Sequence, residues 1–305
     1  MNRASRRAVA FRTVPAYLLA GCMVTVLWPE VVYADQGRHD HRLADDSEQP
    51  AYERTRLPHV IAHRGASHIA PENTYPSFRG AINNGADRIE MDVQRTKDHR
   101  LVIFHDSSLR RTTNVEKVYP KLNTPEVSDL TYKKLRRLDA GGWKAAKWKG
   151  TRIPRLSRIL RLGKRHHVRM IVELKDPAGY PGVVKQTLRR FRKHDLMRRG
   201  YHDPVQLQSF DISAMRRAAH RSSRADIGLL YPNPPVTLKR LRWAQSIDSN
   251  HTKVDGRWVH RAQQYGIRVF VWGVNTRPAI NRALRMNVDG ISTNRPKHTR
   301  SIIER

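Results

Sequence analysis

From Pro58 onward the chain alternates between two hydrophobic patterns. Short apolar runs rich in Val, Ile and Leu recur, and between them apolar residues return at three- and four-residue spacing. The first pattern predicts strands and the second predicts amphipathic helices. Strands are expected to begin at Val60, Arg88, Arg169, Val205, Asp226, Ser246, Arg268 and Val288. Helices are expected over residues 75–83, 182–194, 213–221, 257–265 and 278–286. Such alternation argues for βαβ units on a parallel sheet, and eight units predict an α/β fold of the (β/α)8, or TIM, barrel type. The apolar run 101–104 and the Lys- and Arg-rich stretch up to Gly150 break the alternation. They predict an insertion after the second strand, over about residues 105–150, with Trp143 and Trp148 near its end.

The segment before the barrel has a different pattern. Arg3, Arg6 and Arg7 precede a mostly apolar stretch, 14–28, that contains Pro15 and is short for a membrane span. Val32-Tyr33-Ala34 follows. Residues 1–34 are therefore expected to be an export signal cleaved after Ala34, which makes the protein secreted or extracytoplasmic. Ser5-Arg6-Arg7 loosely resembles a twin-arginine signal. Leu19-Ala20-Gly21-Cys22 keeps lipoprotein anchoring at Cys22 open, and an uncleaved anchor is the third reading. Residues 35–56 are polar and aperiodic, as expected of a linker, and 57–305 form the barrel. Cys22 is the sole cysteine, so the barrel has neither a disulfide nor a thiolate metal site.

Charge adds a candidate partner. The chain carries 58 basic and 27 acidic residues, a net charge of +31. Removing residues 1–34 leaves +28. Such a surface attracts anionic wall polymers or anionic membrane surfaces. The alternative is a compositional surplus of Arg on solvated faces. Nucleic acid ranks last, because no stripe interleaves aromatic and basic residues.

Candidate chemistry gathers at the expected C-terminal ends of strands, where TIM barrels place their active sites. His63 and Arg64 end the first strand. Glu90 and Asp92 lie two apart on the second and so share a face. His105 follows the run 101–104. Glu173 and Lys175 share a face at the end of the third strand. Like charges this close repel unless a cation lies between them. Three carboxylates, expected to converge without a protein counter-charge, favour Ca²⁺ or Mg²⁺ over Zn²⁺. Two histidines beside a carboxylate pair and an arginine are the parts of a metal-assisted phosphoryl-transfer site.

These residues also carry a family resemblance. His63-Arg64-Gly65, Pro71-Glu72-Asn73-Thr74, Gly85-Ala86-Asp87, Ile89-Glu90-Met91-Asp92-Val93 and His105-Asp106 closely resemble motifs of the glycerophosphodiester phosphodiesterases. Glu173-Leu174-Lys175, Gln208-Ser209-Phe210, Val271-Trp272-Gly273-Val274-Asn275 and Asp289-Gly290-Ile291 look like later motifs of that family. The resemblance runs from about Pro58 to Pro296. It implies hydrolysis of glycerophosphodiesters, small-molecule substrates, to glycerol 3-phosphate and an alcohol. It further implies His63 and His105 as the acid–base pair, and Glu90, Asp92 and Glu173 as ligands of a divalent metal. Arg64 and Lys175 would hold the phosphate, Trp272 and Gln208 the rest of the substrate, and Glu72 and Asn73 would support the site. Asn294 departs from the family's usual aspartate, and Gly273 from its frequent threonine. Two alternatives stand beside this reading. One is a phospholipase-D-like enzyme resembling the sphingomyelinase D group, which a long apolar loop at the rim would favour. The other is a non-catalytic basic barrel that binds anionic polymers.

Overall fold

The computed structural model describes residues 57–197 and 205–305. The expected export signal, the Cys22 anchor and the linker lie outside the described residues. Among the described residues, nine strands form in chain order: β1 (His59–Ala62), β2 (Arg88–Arg95), β3 (Leu101–Ile103), β4 (Arg169–Leu174), β5 (Val205–Ser209), β6 (Asp226–Tyr231), β7 (Ser246–Asn250), β8 (Arg268–Trp272) and β9 (Gly290–Thr293). Eight are parallel and follow the order β1-β9-β8-β7-β6-β5-β4-β2. Pairing of Ile61 with Arg88 and of Ala62 with Ile89 joins β1 to β2 and closes the (β/α)8 barrel. β2 has eight residues against four in β1, and β3 folds back antiparallel along the end of β2 that β1 does not reach.

Strand parity explains the core. Val60, Ala62, Ile89, Met91, Val93, Val172, Leu207, Leu229, Ile247, Val271 and Ile291 face outward into one large apolar cluster with the helices. The alternate positions face the lumen, where Ile61, Ile171 and Phe270 form a separate buried plug. The guanidinium of Arg88 lies 5.4 Å from the centre of the Phe270 ring. A Cβ at Gly290 would come within 2.7 Å of Phe270 Cδ1 and 2.9 Å of Ile61 Cδ1, so only glycine lets the lumen pack at this height.

The helices around the barrel are α1 (Tyr75–Asn83), α4 (Leu156–Arg165), α5 (Val183–Lys193), α6 (Ile212–Arg221), α7 (Gly256–Gln264), α8 (Arg277–Arg285) and α9 (Pro296–Ile303). The sequence pattern anticipates five of them. It misses α4, although Leu156, Ile159, Leu160 and Gly163 are buried at helical spacing, and it misses α9. Between β6 and β7 a short 3-10 turn, Leu238–Leu241, stands in place of a helix. The last strand starts at Gly290, not Val288. The insertion carries α2 (Val115–Val118) and α3 (Tyr132–Leu135). It has its own small core, in which Phe104, Leu109, Val115, Val127, Leu135, Leu138 and Ile153 are buried together. Among the described residues, no helix is long and apolar enough to cross a membrane.

Candidate active site

The lumen positions above the apolar plug are polar. Register pairs Asp92 with Glu173, and Glu173 with Gln208, across β2, β4 and β5. A cavity of about 270 Å³ opens here, lined by His63, Arg64, Glu90, His105, Glu173, Lys175, Gln208, Phe210, Leu230, Asp248, Trp272 and Ser292. Asp92 lies beneath this lining, 1% exposed. Residues expected at the ends of different strands therefore meet at one mouth.

Glu90, Asp92 and Glu173 are all buried and offer carboxylate oxygens within 4.8 Å of one another. The expectation that they lack a protein counter-charge is wrong. Lys175 Nζ lies 2.6 Å from Glu173 Oε1 and 3.5 Å from Asp92 Oδ1, and Arg64 Nε lies 3.4 Å from Asp92 Oδ2. Strand parity places Lys175 on the same face as Glu173, so the cation intended for phosphate also steadies the acids.

The three acids titrate differently. Burial, then the charges of Asp92 and Glu173, push Glu90 well above the usual carboxylate range. Burial and Asp92 raise Glu173 to about 7, against the pull of Lys175. Burial also works against ionised Asp92, but Lys175 and Arg64 outweigh it and hold the group low. Glu90 Oε1 is buried with no hydrogen-bond partner. An orphaned carboxylate oxygen among three acids fits a hard divalent cation, which takes oxygen ligands and removes the cost of burying their charge.

The loop after β1 is shaped around these acids. Arg64 and Asn73 adopt left-handed backbone, φ 56° and 57°, and Gly65 follows at φ 83°. Such a conformation is costly for arginine and persists where surrounding bonds enforce it. Here the Arg64 N–H donates to Glu90 Oε2 at 2.8 Å, and the Asn73 N–H donates to the Arg64 carbonyl at 3.0 Å. Asn73 Nδ2 donates to Asp92 Oδ2 at 2.7 Å, while its Oδ1 accepts from the Asp92 N–H at 3.3 Å.

Both histidines have a defined partner behind the ring. His63 Nδ1 lies 2.8 Å from Asn294 Oδ1. Burial and the charge of Arg64 lower its pKa to about 4. His105 Nδ1 lies 2.5 Å from Asp106 Oδ1. Burial would raise Asp106, but hydrogen bonds from Arg111 and His105 prevail and lower it to about 2. Arg111 also donates to Glu72 at 2.7 and 3.0 Å, and Glu72 accepts from Arg64 at 2.9 Å. The insertion is thus tied back to the first loop through Arg111, and also through Lys144, whose Nζ donates to the Ser67 carbonyl at 3.0 Å.

Four residues here escape the sequence reading as site groups: Asp106, Arg111, Asn294 and Asp248. The first lies inside a quoted motif, and the third is the noted departure from the family's aspartate. Asp248 is an acid in the middle of an expected strand, the same signal that exposed Glu90. Arg111 has no sequence signal among so many arginines.

Fold and site together define a (β/α)8-barrel enzyme with a buried acidic cluster, two cations and two histidines at the C-terminal mouth. Residues 63–298 match the profile of the Glycerophosphoryl diester phosphodiesterase family, and the chain belongs to that family. It is 31% identical over 242 residues to the glycerophosphodiester phosphodiesterase of Caldanaerobacter subterraneus, covering 78% of this chain and 94% of that protein. It is 30% identical over 265 residues to a glycerophosphodiester phosphodiesterase of Bacillus subtilis, covering 78% of this chain and 83% of that protein. Among solved structures, the fold is similar to that of an Oleispira antarctica phosphodiesterase in complex with the product sn-glycerol-3-phosphate. The TM-score is 0.73 and the identity 24%, over 82% of this chain and 98% of that chain.

Proposed function

We propose that this protein is a secreted, divalent-metal-dependent phosphodiesterase that hydrolyses glycerophosphodiesters to glycerol 3-phosphate and an alcohol. The observation that carries this reading is the convergence of Glu90 and Glu173 with His63 and His105 on one cavity, with buried Asp92 completing the acidic cluster. Family membership and the product bound to the Oleispira antarctica relative support the substrate class. The basic and then apolar pattern of residues 1–34 supports export.

A Ca²⁺ or Mg²⁺ ion held by Glu90, Asp92 and Glu173 would polarise the phosphate oxygens. Arg64 and Lys175 would hold the phosphate with charged N–H groups, and their ion pairs with Asp92 and Glu173 keep both side chains in position. The two histidines take different roles because of what stands behind them. The Asn294 amide oxygen can only accept, so His63 keeps its proton on Nδ1 and presents an Nε2 lone pair. With a pKa of about 4, His63 is neutral at pH 7 and serves as the base. His105 has the Asp106 carboxylate behind it, which fixes the ring and its Nδ1 proton, and serves as the acid that protonates the departing alcohol. The attacking group is either water or the neighbouring hydroxyl of the substrate, the latter through a cyclic phosphate. Gln208 and Trp272 bound the space for the rest of the substrate.

The test is release of glycerol 3-phosphate from a panel of glycerophosphodiesters, with and without chelator. Release that stops on chelation and returns with Ca²⁺ or Mg²⁺ is expected. Release of a phosphorylated alcohol in place of glycerol 3-phosphate, or full turnover after exhaustive chelation, would overturn the reading.

One observation favours the lipid-cleaving alternative. Ile69, Trp143, Phe210 and Val236 are exposed large hydrophobic residues, from 41% to 87%, in the segments that follow β1, β3, β5 and β6. Anionic vesicles that bind the protein, and intact lipids that it cleaves, would bring that reading forward.

A further inference from the structure

Arg111 belongs to the insertion and stands outside both the cavity lining and the acidic cluster. Its guanidinium nevertheless joins two parts of the proposed machinery. One edge donates to Asp106, from Nε to Oδ2 at 2.6 Å and from Nη2 to Oδ1 at 3.1 Å. The other edge donates to Glu72, from Nη1 to Oε2 at 3.0 Å and from Nη2 to Oε1 at 2.7 Å. Beyond Asp106 lies His105, Oδ1 to Nδ1 at 2.5 Å, and beyond Glu72 lies Arg64, Oε1 to Nη1 at 2.9 Å. The proposed acid and a group proposed to hold the phosphate are each one carboxylate away from the same cation.

The chemistry of this bridge is specific to arginine. A guanidinium carries its donors in a rigid planar fork and can meet a carboxylate along each of two edges. An ammonium is a point charge on a flexible stem and cannot fix both directions at once. Burial works against the charge of Glu72, and the hydrogen bonding of Arg111 does most to outweigh it, ahead of the charge of Arg64. Without the bridge, Asp106 and Glu72 would face each other as like charges and turn apart. Stability does not account for the arrangement, because the Arg111 side chain is 46% exposed and ion pairs open to water add little to it. What paired forks supply is direction.

We propose that Arg111 is a positioning residue that sets His105 and Arg64 relative to each other, acting on the first through Asp106 and on the second through Glu72. The inference rests on the glycerophosphodiester reading above. The insertion then completes the site from outside the barrel.

The experiment measures kcat and KM for glycerophosphocholine in Arg111→Met, in Arg111→Lys, and in Asp106→Ala with and without Arg111→Met. Arg111→Met should lower kcat about five- to tenfold through His105 and raise KM about five- to tenfold through Arg64. Arg111→Lys keeps the charge without the fork and should fall between the methionine variant and wild type; it serves as the readout if the methionine variant does not fold. In the Asp106→Ala background, Arg111→Met should leave kcat unchanged and still raise KM, because only the route through Asp106 has been cut. Lys144 supplies the control, since its bond to the Ser67 carbonyl ties the same insertion to the same loop through a backbone oxygen. Lys144→Met should keep kcat and KM within about twofold of wild type. An Arg111→Met or Arg111→Lys variant with both constants that close to wild type would overturn the proposal. A further fall in kcat in the Asp106→Ala background would do so too, as would equal losses in Lys144→Met, which would reduce Arg111 to an attachment of the insertion. A wild type that releases no glycerol 3-phosphate would instead overturn the substrate reading itself.

Discussion

Asp106 is where the proposed acid–base pair can be tested without touching either histidine. Its Oδ1 lies 2.5 Å from His105 Nδ1, and its Oδ2 accepts from Arg111 Nε at 2.6 Å. Asp106→Ala removes the carboxylate that is hydrogen-bonded to His105 Nδ1 and holds the ring in place. A hydrogen bond to a charged group is worth about 1.5–3 kcal/mol, or roughly 10- to 150-fold in rate. The Asp106 side chain is 26% exposed, so solvent screening favours the lower end, about 10- to 30-fold in kcat. Asp106→Asn keeps a neutral acceptor and should cost less, about fivefold. The assay is initial-rate release of glycerol 3-phosphate at saturating glycerophosphocholine.

Stability provides an independent readout. The folded-state pKa of Asp106, about 2, is below its ordinary 3.8. The stabilisation is therefore present above about pH 4 and is lost as pH falls towards 2. After discounting for solvent it amounts to about 1 kcal/mol. The Tm gap between wild type and Asp106→Asn should be constant above about pH 5 and close between pH 4 and 2. An Asp106→Ala variant with kcat within twofold of wild type would refute the pairing of Asp106 with a catalytic His105.

His63→Ala and His105→Ala should each lower kcat by about 10² or more while thermal unfolding stays near that of wild type; near-normal kcat in either would make that histidine structural. Phe270→Ala should cost about 3–5 kcal/mol in denaturant unfolding, because it empties the buried plug between Ile61 and Ile171; a loss below 1 kcal/mol would mean the lumen collapses to fill the gap. On a polymeric glycerol phosphate, kcat/KM should fall steeply between about 0.05 and 0.5 M salt, while glycerophosphocholine, with no net charge, barely responds; equal sensitivity would leave the +31 charge without a role in substrate capture.

The barrel and the location of the chemistry are legible in the sequence because they depend on local period, and the family is legible through the resemblance of its motifs. Ile89-Glu90-Met91-Asp92-Val93 places apolar residues on one strand face and acids on the other, whatever lies nearby. The same parity applies to Glu173 and Lys175. Those faces become a site only when β1 meets β2 and the barrel closes, which brings residues 63, 90, 173 and 248 to one mouth. Period cannot report which charges then touch. Lys175 and Arg64 were expected to wait for phosphate, yet they lie against Asp92 and Glu173, because a buried carboxylate draws the nearest cation. Arg111 is one arginine among many until the insertion folds back and sets it between Asp106 and Glu72. Asp248 carries the signal of an acid inside an expected strand, and only closure of the lumen buries it and leaves its oxygen without a partner. Side-chain alternation along a strand is a local property and can be read from the chain, whereas distance across the barrel depends on how many strands close it and at what register.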